Sequence, residues 1–249
     1  MPRFFVTSSQ IEGEVVTILG EDAHHISRAL RAAAGDSVVV CDMSRTEYDC
    51  VLTDFLPDRV LARVVSVHPS DTEPPVQITL YQALPKGDKL DTVIQKAVEC
   101  GASRIVPFES ERCVVRMKAD SEERKTERRR RIAIEAAKQC GRGCLPDVLP
   151  TVSFDDMLEM AAGADAVLFC YEGDGTKPIG VLLDEIGLDG CREIALVVGS
   201  EGGFSQKEAA TAAAHGFLMT GLGKRILRAE TAPTFALACI AYRLELSTL

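Results

Sequence analysis

Five apolar runs in the chain restrict its fold more than any other feature: VQITLYQAL (76–84), RIVPF (104–108), AVLFCY (166–171), EIALVVG (193–199) and FLMTG (217–221). They are continuous rather than alternating, and amphipathic stretches separate them. This is the pattern of parallel strands covered on both faces by crossover helices, and it predicts an α/β fold. The helices are signposted. In 88–101, Leu90, Val93, Ile94, Ala97 and Val98 share one face, Asp88 stands at the capping position and Gly101 supplies the stop. Residues 120–140 open with Asp120, Glu122 and Glu123, which suit the positive end of the helix dipole, and close at Gly141. Ser205 and Glu208 have the spacing of a capping box, and His215-Gly216 ends that helix. Thr231 is placed to cap the last helix, whose Phe235, Leu237, Ile240, Leu244 and Leu246 are joined by Ala236, Ala238, Cys239 and Ala241. A helix apolar nearly all round needs cover on more than one side, and a second subunit is one source of it.

Upstream the pattern differs. Short β-rich runs, EVVTIL (14–19), SVVVCDM (37–43), YDCVLTDF (48–55) and RVLARVVSV (59–67), alternate with turn residues around one helical stretch near 21–33, which predicts a small β-barrel of about 70 residues. PSDTEPP (69–75) holds three prolines and no large apolar residue, so it reads as a linker between two bodies. No run reaches the roughly 18 uncharged apolar residues of a membrane span, and MPRFFVTSS lacks the apolar core of a secretory signal. Nine cysteines without a repeated spacing resemble reduced thiols more than a disulfide framework. These features predict a soluble cytoplasmic protein with no membrane association.

The net charge of −9 argues, as an average, against a nucleic-acid partner, but the charges are segregated. Residues 102–145 carry 12 basic and 7 acidic side chains, whereas 146–221 carry 3 and 13. Screening limits each charge to roughly 8–10 Å, so a basic stretch can bind an anion whatever the overall sign. Contiguous Arg128 to Arg131 cannot share one helix face, and most of that run is expected to be solvated. Arg112 and Arg142 lie in loops beside the helix, where a guanidinium can clamp phosphate bidentately.

Two glycine-bearing loops follow two late strands. GSEGGF (199–204) precedes a capped helix, and its glycines allow close approach to a ligand; a plain βα turn explains it equally well. GLGKRILRAET (221–231) has Ile226 where a dinucleotide fingerprint places its third glycine, which disfavours a nicotinamide dehydrogenase. Both loops fall at the carboxyl edge of the sheet, where open α/β folds bind ligands. Neither G-x-S-x-G nor GxxxxGK[ST] occurs, and Cys140 and Cys144 lack a second pair at metal-ligand spacing, so no metal is expected.

PRFF (2–5), HHISRALR (24–31), IQKAVECGASRIVPFESERCVVR (94–116), RRIAIEAAKQCGR (130–142), LVVGSEGGFSQKE (196–208) and LGKRILRAETA (222–232) together resemble the SPOUT superfamily of methyltransferases. Within it they resemble the RsmE-type family, which methylates N3 of a uridine in 16S ribosomal RNA. The last two stretches are the most specific, and Ser200 stands where the family usually carries proline. The resemblance implies a PUA-like β-barrel RNA-binding domain over 1–70 and a SPOUT domain with a deep trefoil knot over 76–249. It also implies S-adenosyl-L-methionine as methyl donor, a homodimer through the carboxy-terminal domain, and 16S ribosomal RNA or the small ribosomal subunit as substrate. The competing class is a non-catalytic RNA-binding or ribosome-assembly protein that has kept the fold.

Carried over by residue, the donor pocket would take Leu168, Tyr171 and Glu172 from one strand end, Gly199, Gly202 and Gly203 from the glycine loop, and Leu218, Gly221, Leu222, Gly223 and Leu227 from the last stretch. Removing the N3 proton of uracil needs a base, or a cation facing the developing anion. Glu201 or Glu230 is expected as acceptor and Arg228 as stabiliser, against the alternative that Arg228 and Glu230 form a structural ion pair. Arg3, Arg31, Arg112, Arg116 and Arg142 are expected to line an RNA groove between the domains.

Overall fold

The computed structural model describes residues 1–117, 119–187 and 190–247. The chain divides into two units, Met1–Glu73 with Ala137–Leu145, and Pro74–Ala136 with Pro146–Leu249. Residues 137–145, read from the sequence as part of the second body, therefore belong to the first.

The first unit carries β1 (Arg3–Phe5), β2 (Ile11–Glu12), β3 (Val15–Leu19), α1 (Gly20–His24), β4 (Ser37–Cys41), β5 (Thr46–Phe55) and β6 (Arg59–Pro69). The strands form one six-stranded sheet in the order β1-β4-β5-β6-β3-β2, antiparallel except for the parallel β1–β4 pair. Alternation fixes its register: Val16 and Ile18 oppose Ala62 and Val60, and all four are buried while their neighbours Val15 and Leu19 face out. Phe4, Ile26, Val38, Val40, Cys50 and Leu52 complete that core. The hydrogen-bonded order runs from β1 at one edge to β2 at the other.

The same unit holds two ion pairs under cover. Glu73 receives Arg142 Nε at 2.9 Å and Nη2 at 2.6 Å, and its Oε1 also accepts from the backbone N–H groups of Gly143 and Cys144. Both side chains are about 5% exposed (4% and 5%). Gly143 has no room for a side chain, because a Cβ there would lie 2.2 Å from Ser70 Oγ. Arg3 pairs with Glu47 at 2.8 Å and donates to the Arg142 carbonyl.

The second unit contains β7 (Gln77–Ala83), α2 (Lys89–Glu99), β8 (Arg104–Phe108), α3 (Ala119–Cys140, whose last turn belongs to the first unit), β9 (Asp147–Val148), α4 (Phe154–Ala161), β10 (Ala166–Cys170), β11 (Lys177–Pro178), α5 (Ile179–Ile186), β12 (Glu193–Val198), α6 (Gln206–Ala214), β13 (Leu218–Gly221) and α7 (Thr231–Ala241). Seven strands pair in the order β11-β13-β10-β12-β7-β8-β9, and every pairing is parallel. The five apolar runs are β7, β8, β10, β12 and β13, with β7, β8, β10 and β12 buried almost throughout, as strands covered on both faces must be. After β12 the chain crosses β10 and adds β13 on its far side. The loops leaving β12 and β13 thus flank the end of β10, and a crevice opens at such a change of direction.

Ser205 and Glu208 form the expected capping box. Two caps differ from expectation. Asp88 occupies the N-cap position of α2 without a side-chain cap bond, and α7 is preceded by Glu230, with Thr231 already its first helical residue. Helices α4, capped by Ser153, and α5 were not visible in the sequence pattern.

Candidate functional site

The crevice is a cavity of about 710 Å3 walled by the segments that leave β10, β12 and β13. Its position is held from below by Phe204, 4% exposed, which packs its ring 4.2 Å from Phe169 and 6.3 Å from Phe108 in the core. Gly199 and Gly202 are then constrained by neighbours. A Cβ on Gly199 would stand 3.3 Å from the Phe204 ring, and one on Gly202 would stand 2.9 Å from Arg112 Cβ. Gly203 and Gly223 adopt positive φ (60° and 103°), and a Cβ on either meets no protein atom within 4 Å. Gln82, at the end of β7, donates to the Gly199 carbonyl at 3.1 Å. Its Oε1 and the Ser200 hydroxyl are buried without a protein partner.

The wall carries five cationic side chains, Lys89, Arg112, Lys224, Arg225 and Arg228, against two carboxylates, Glu172 and Glu201. Lys89 lies 2.9 Å from Glu201 and 3.3 Å from Glu230. Glu201 also accepts from the backbone N–H of Lys86 at 3.1 Å. Burial raises the proton affinity of the Glu201 carboxyl, but Lys89 and backbone N–H groups outweigh it and hold the carboxyl below its usual range. The backbone N–H of Glu230 and then Lys89 act likewise on Glu230, and the two carboxylates in turn raise the Lys89 ammonium. Arg228 forms no ion pair with Glu230 within contact distance among the described residues, although its charge adds to the forces that hold the Glu230 carboxyl low. Its carbonyl instead receives the N–H groups of Thr231 and Ala232, both at 2.9 Å, which ties the loop to the start of α7.

Nine of the eleven residues expected around the donor line this cavity: Tyr171, Glu172, Gly199, Gly202, Gly203, Gly221, Leu222, Gly223 and Leu227. Leu168 and Leu218 do not. They face each other in the β10–β13 ladder, two residues or more short of its end, and Leu168 is fully buried. Arg228 and Glu201 are on the wall, whereas Glu230 lies behind Lys89, off it.

The five arginines expected to meet RNA are not equivalent. Arg142 is a correction: buried against Glu73, it has no surface to offer a phosphate. Arg3, with its side chain 13% exposed, is committed to Glu47 in the same unit. Arg31 is exposed in the first unit, and Arg112 and Arg116 are exposed in the second. Arg112 Nη1 donates to the Gly202 carbonyl at 3.1 Å, so the segment after β8 braces the glycine loop. Arg116 donates to the carbonyls of Ser110 and Glu111. Within the basic tract Arg129 also proves buried, paired with Glu122 at 2.9 Å.

The sequence reading missed Lys89, Lys224 and Arg225. Lys89 belongs to KGDK, directly after the first run of the second unit. Because β7 neighbours β12, that segment falls at the same sheet edge as the glycine loop, a proximity with no local signal in the sequence.

Residues 72–241 match the model of the RNA methyltransferase domain family. A ribosomal RNA small subunit methyltransferase E from Bacillus subtilis is 34% identical over 99% of this chain and 98% of its own length. The chain belongs to the ribosomal RNA small subunit methyltransferase E family. Two solved structures extend the likeness to three dimensions. A ribosomal RNA small subunit methyltransferase E from Neisseria gonorrhoeae, bound to S-adenosyl methionine, is 31% identical with a TM-score of 0.84, covering 96% of each chain. A putative methyltransferase from Legionella pneumophila, in complex with the same cofactor, is 28% identical with a TM-score of 0.84, again over 96% of each. The family fold is an α/β methyltransferase with a parallel sheet, which is the architecture of the second unit here.

Proposed function

We propose that the protein transfers a methyl group from S-adenosyl-L-methionine to N3 of a uridine in 16S ribosomal RNA of the small ribosomal subunit, in the cytoplasm. The observation that carries the proposal is the glycine-edged, cationic cavity at the ends of β10, β12 and β13, in a chain of this family. The cavity fits the donor. Its volume of about 710 Å3 suits a nucleoside-sized ligand, and Gly203 and Gly223 line it at positive φ, a backbone conformation that lets the loops follow the ligand and that side chains rarely adopt. The unpartnered Ser200 hydroxyl offers a further polar contact where proline would offer none.

Gly199, Gly202 and Gly203 would hold the donor's ribose and methionine part, and backbone groups of Gly221, Leu222 and Leu227 its adenine, with Tyr171 and Glu172 closing the side. When bound, the donor supplies an electrophilic methyl that needs no covalent enzyme intermediate. The chain's task is to orient the uracil edge and make its N3 proton easier to lose. Arg228, exposed on the wall with no carboxylate at ion-pair distance among the described residues, faces a developing negative charge on O2 or O4. Glu201 and Glu230 are weaker proton acceptors in this reading, because Lys89 with backbone N–H groups keeps Glu201 ionised, and a backbone N–H and then Lys89 do the same for Glu230. Charge stabilisation by Arg228 therefore takes precedence over general-base catalysis in this reading. A non-catalytic RNA-binding role leaves the donor-sized cavity without a purpose and is not favoured.

The reading extends to the finer architecture. The placement of β13 beyond β10 supports the trefoil knot, and the six-stranded first unit supports a PUA-like RNA-binding domain. Homodimerisation is assigned to α7 and α5. An apolar groove of about 580 Å3 there includes Ile179, Leu183, Phe235 and Tyr242, and Phe235 and Tyr242 are 40% and 61% exposed. Replacing both aromatics (F235E with Y242E) is expected to convert a dimer to a monomer in light scattering; a wild-type monomer would contradict the assignment. Catalysis itself is tested by incubating labelled S-adenosyl-L-methionine with small subunits lacking the modification. Label is expected in 3-methyluridine, and label in no nucleoside would refute the proposal.

A further inference from the structure

The segment leaving β13 ends in an exposed tip that neither donor binding nor Arg228 accounts for. Ile226 is 83% exposed, more than any other large apolar side chain described, and sits at the rim of the cavity. Lys224, Arg225 and Arg228 flank it, and Lys224 and Arg225 form no ion pair among the described residues. A second exposed aliphatic side chain lies after β8, off the cavity lining. Val114 is 68% exposed between Arg112 and Arg116, and Arg112 belongs to the same cavity wall. A single exposed aliphatic side chain needs no explanation, but one flanked by three cations at the mouth of a cavity suits a ligand that is anionic along its length and flat on its faces.

A polynucleotide strand has both properties. Uracil N3 lies on the pairing edge of the base, which is inaccessible while the base is stacked and paired. An enzyme that modifies this atom has to draw the nucleotide out, and proteins do so by inserting aliphatic side chains between base steps while cations hold the phosphates. We infer that Ile226 is the wedge that fills the stack beside the target nucleotide, with Lys224 and Arg225 holding the adjoining phosphates and Val114 supporting the strand from the other segment. The inference rests on the proposed RNA substrate and adds how this site recognises it.

The test is single-turnover methyl transfer to unmodified small ribosomal subunits at saturating S-adenosyl-L-methionine. I226S is expected to lower the maximal single-turnover rate by about tenfold or more while subunit affinity changes less than about threefold. I226L, which keeps the aliphatic bulk, is expected to restore most of the rate. K224Q with R225Q is expected to act the other way, weakening subunit binding and reducing the slope of log affinity against log salt by about one per charge removed. I226S at the wild-type rate would overturn the wedge. So would a loss matched by an equal loss of donor affinity, measured by calorimetry on the free protein, which would make Ile226 part of the donor pocket. A wild-type protein that methylates no subunit RNA would remove the substrate assignment itself, and the wedge with it; that result is read on the wild type and is distinct from failure of the variant alone.

Discussion

Arg228→Ala is expected to slow methyl transfer by about 10²–10³-fold, the usual cost of removing one preorganised group that faces developing charge. Donor affinity is expected to stay within about threefold, because the side chain is exposed and its structural contribution to the loop is made by its carbonyl, which receives the N–H groups of Thr231 and Ala232 in any variant. Arg228→Lys should recover part of the rate, since a point charge replaces the planar fork at the same wall. Calorimetry with S-adenosyl-L-methionine and single-turnover transfer separate the two effects. Wild-type transfer by R228A would remove Arg228 from the chemistry. A parallel fall in donor affinity would assign it to donor binding instead.

Breaking the buried pair in the first unit is expected to have the largest effect on stability. Glu73→Ala leaves the Arg142 guanidinium buried without its carboxylate and frees the N–H groups of Gly143 and Cys144, at a cost of about 3–5 kcal/mol. Urea denaturation measures it, with a lower midpoint at an unchanged slope. The pair also sets a pH dependence. Burial opposes ionisation of Glu73, but Arg142 and two backbone N–H groups overcome it and hold the carboxyl below its ordinary value. Because the folded state binds this proton less readily than the unfolded chain, where a glutamate titrates at about 4.3, the stabilisation is present at neutral pH. It is lost as pH falls through the depressed folded value. Glu73→Gln should therefore be less stable at pH 7 and show a smaller further loss on acidification. An unchanged midpoint in either variant would show the pair to be dispensable.

That pair shows which features a sequence exposes and which it conceals. Arg142 sits between two glycines at the end of a basic tract, which locally resembles a phosphate clamp. Its partner lies 69 residues away in a proline-rich linker, and no local pattern joins the two. The parallel strands were legible because their signal is local: RIVPF is β8 from its first residue to its last. The glycine loop could be placed because it follows such a strand and precedes a capping box. Helices α4 and α5 are eight residues each, about two turns, too short to establish a period, and α5 opens directly after Pro178. The shared ion-pair partner of Glu201 and Glu230 was hidden for a related reason: Lys89 is more than 100 residues upstream and reaches them only because β7 neighbours β12.

The acidic average of the chain no longer weighs against an RNA substrate. The net charge of −9 belongs to the whole surface, whereas the cavity wall alone carries five cations against two carboxylates. At physiological salt a phosphate held at that wall responds to charges within about 8 Å, so the local sign decides.

The central claim is methylation of uridine N3 in 16S ribosomal RNA, and mass spectrometry of nucleosides from small-subunit RNA tests it most directly. In cells lacking this protein 3-methyluridine is expected to be absent from that RNA, to return when the wild-type chain is restored, and to remain absent with R228A. An unchanged level of 3-methyluridine in the cells lacking the protein would contradict the account.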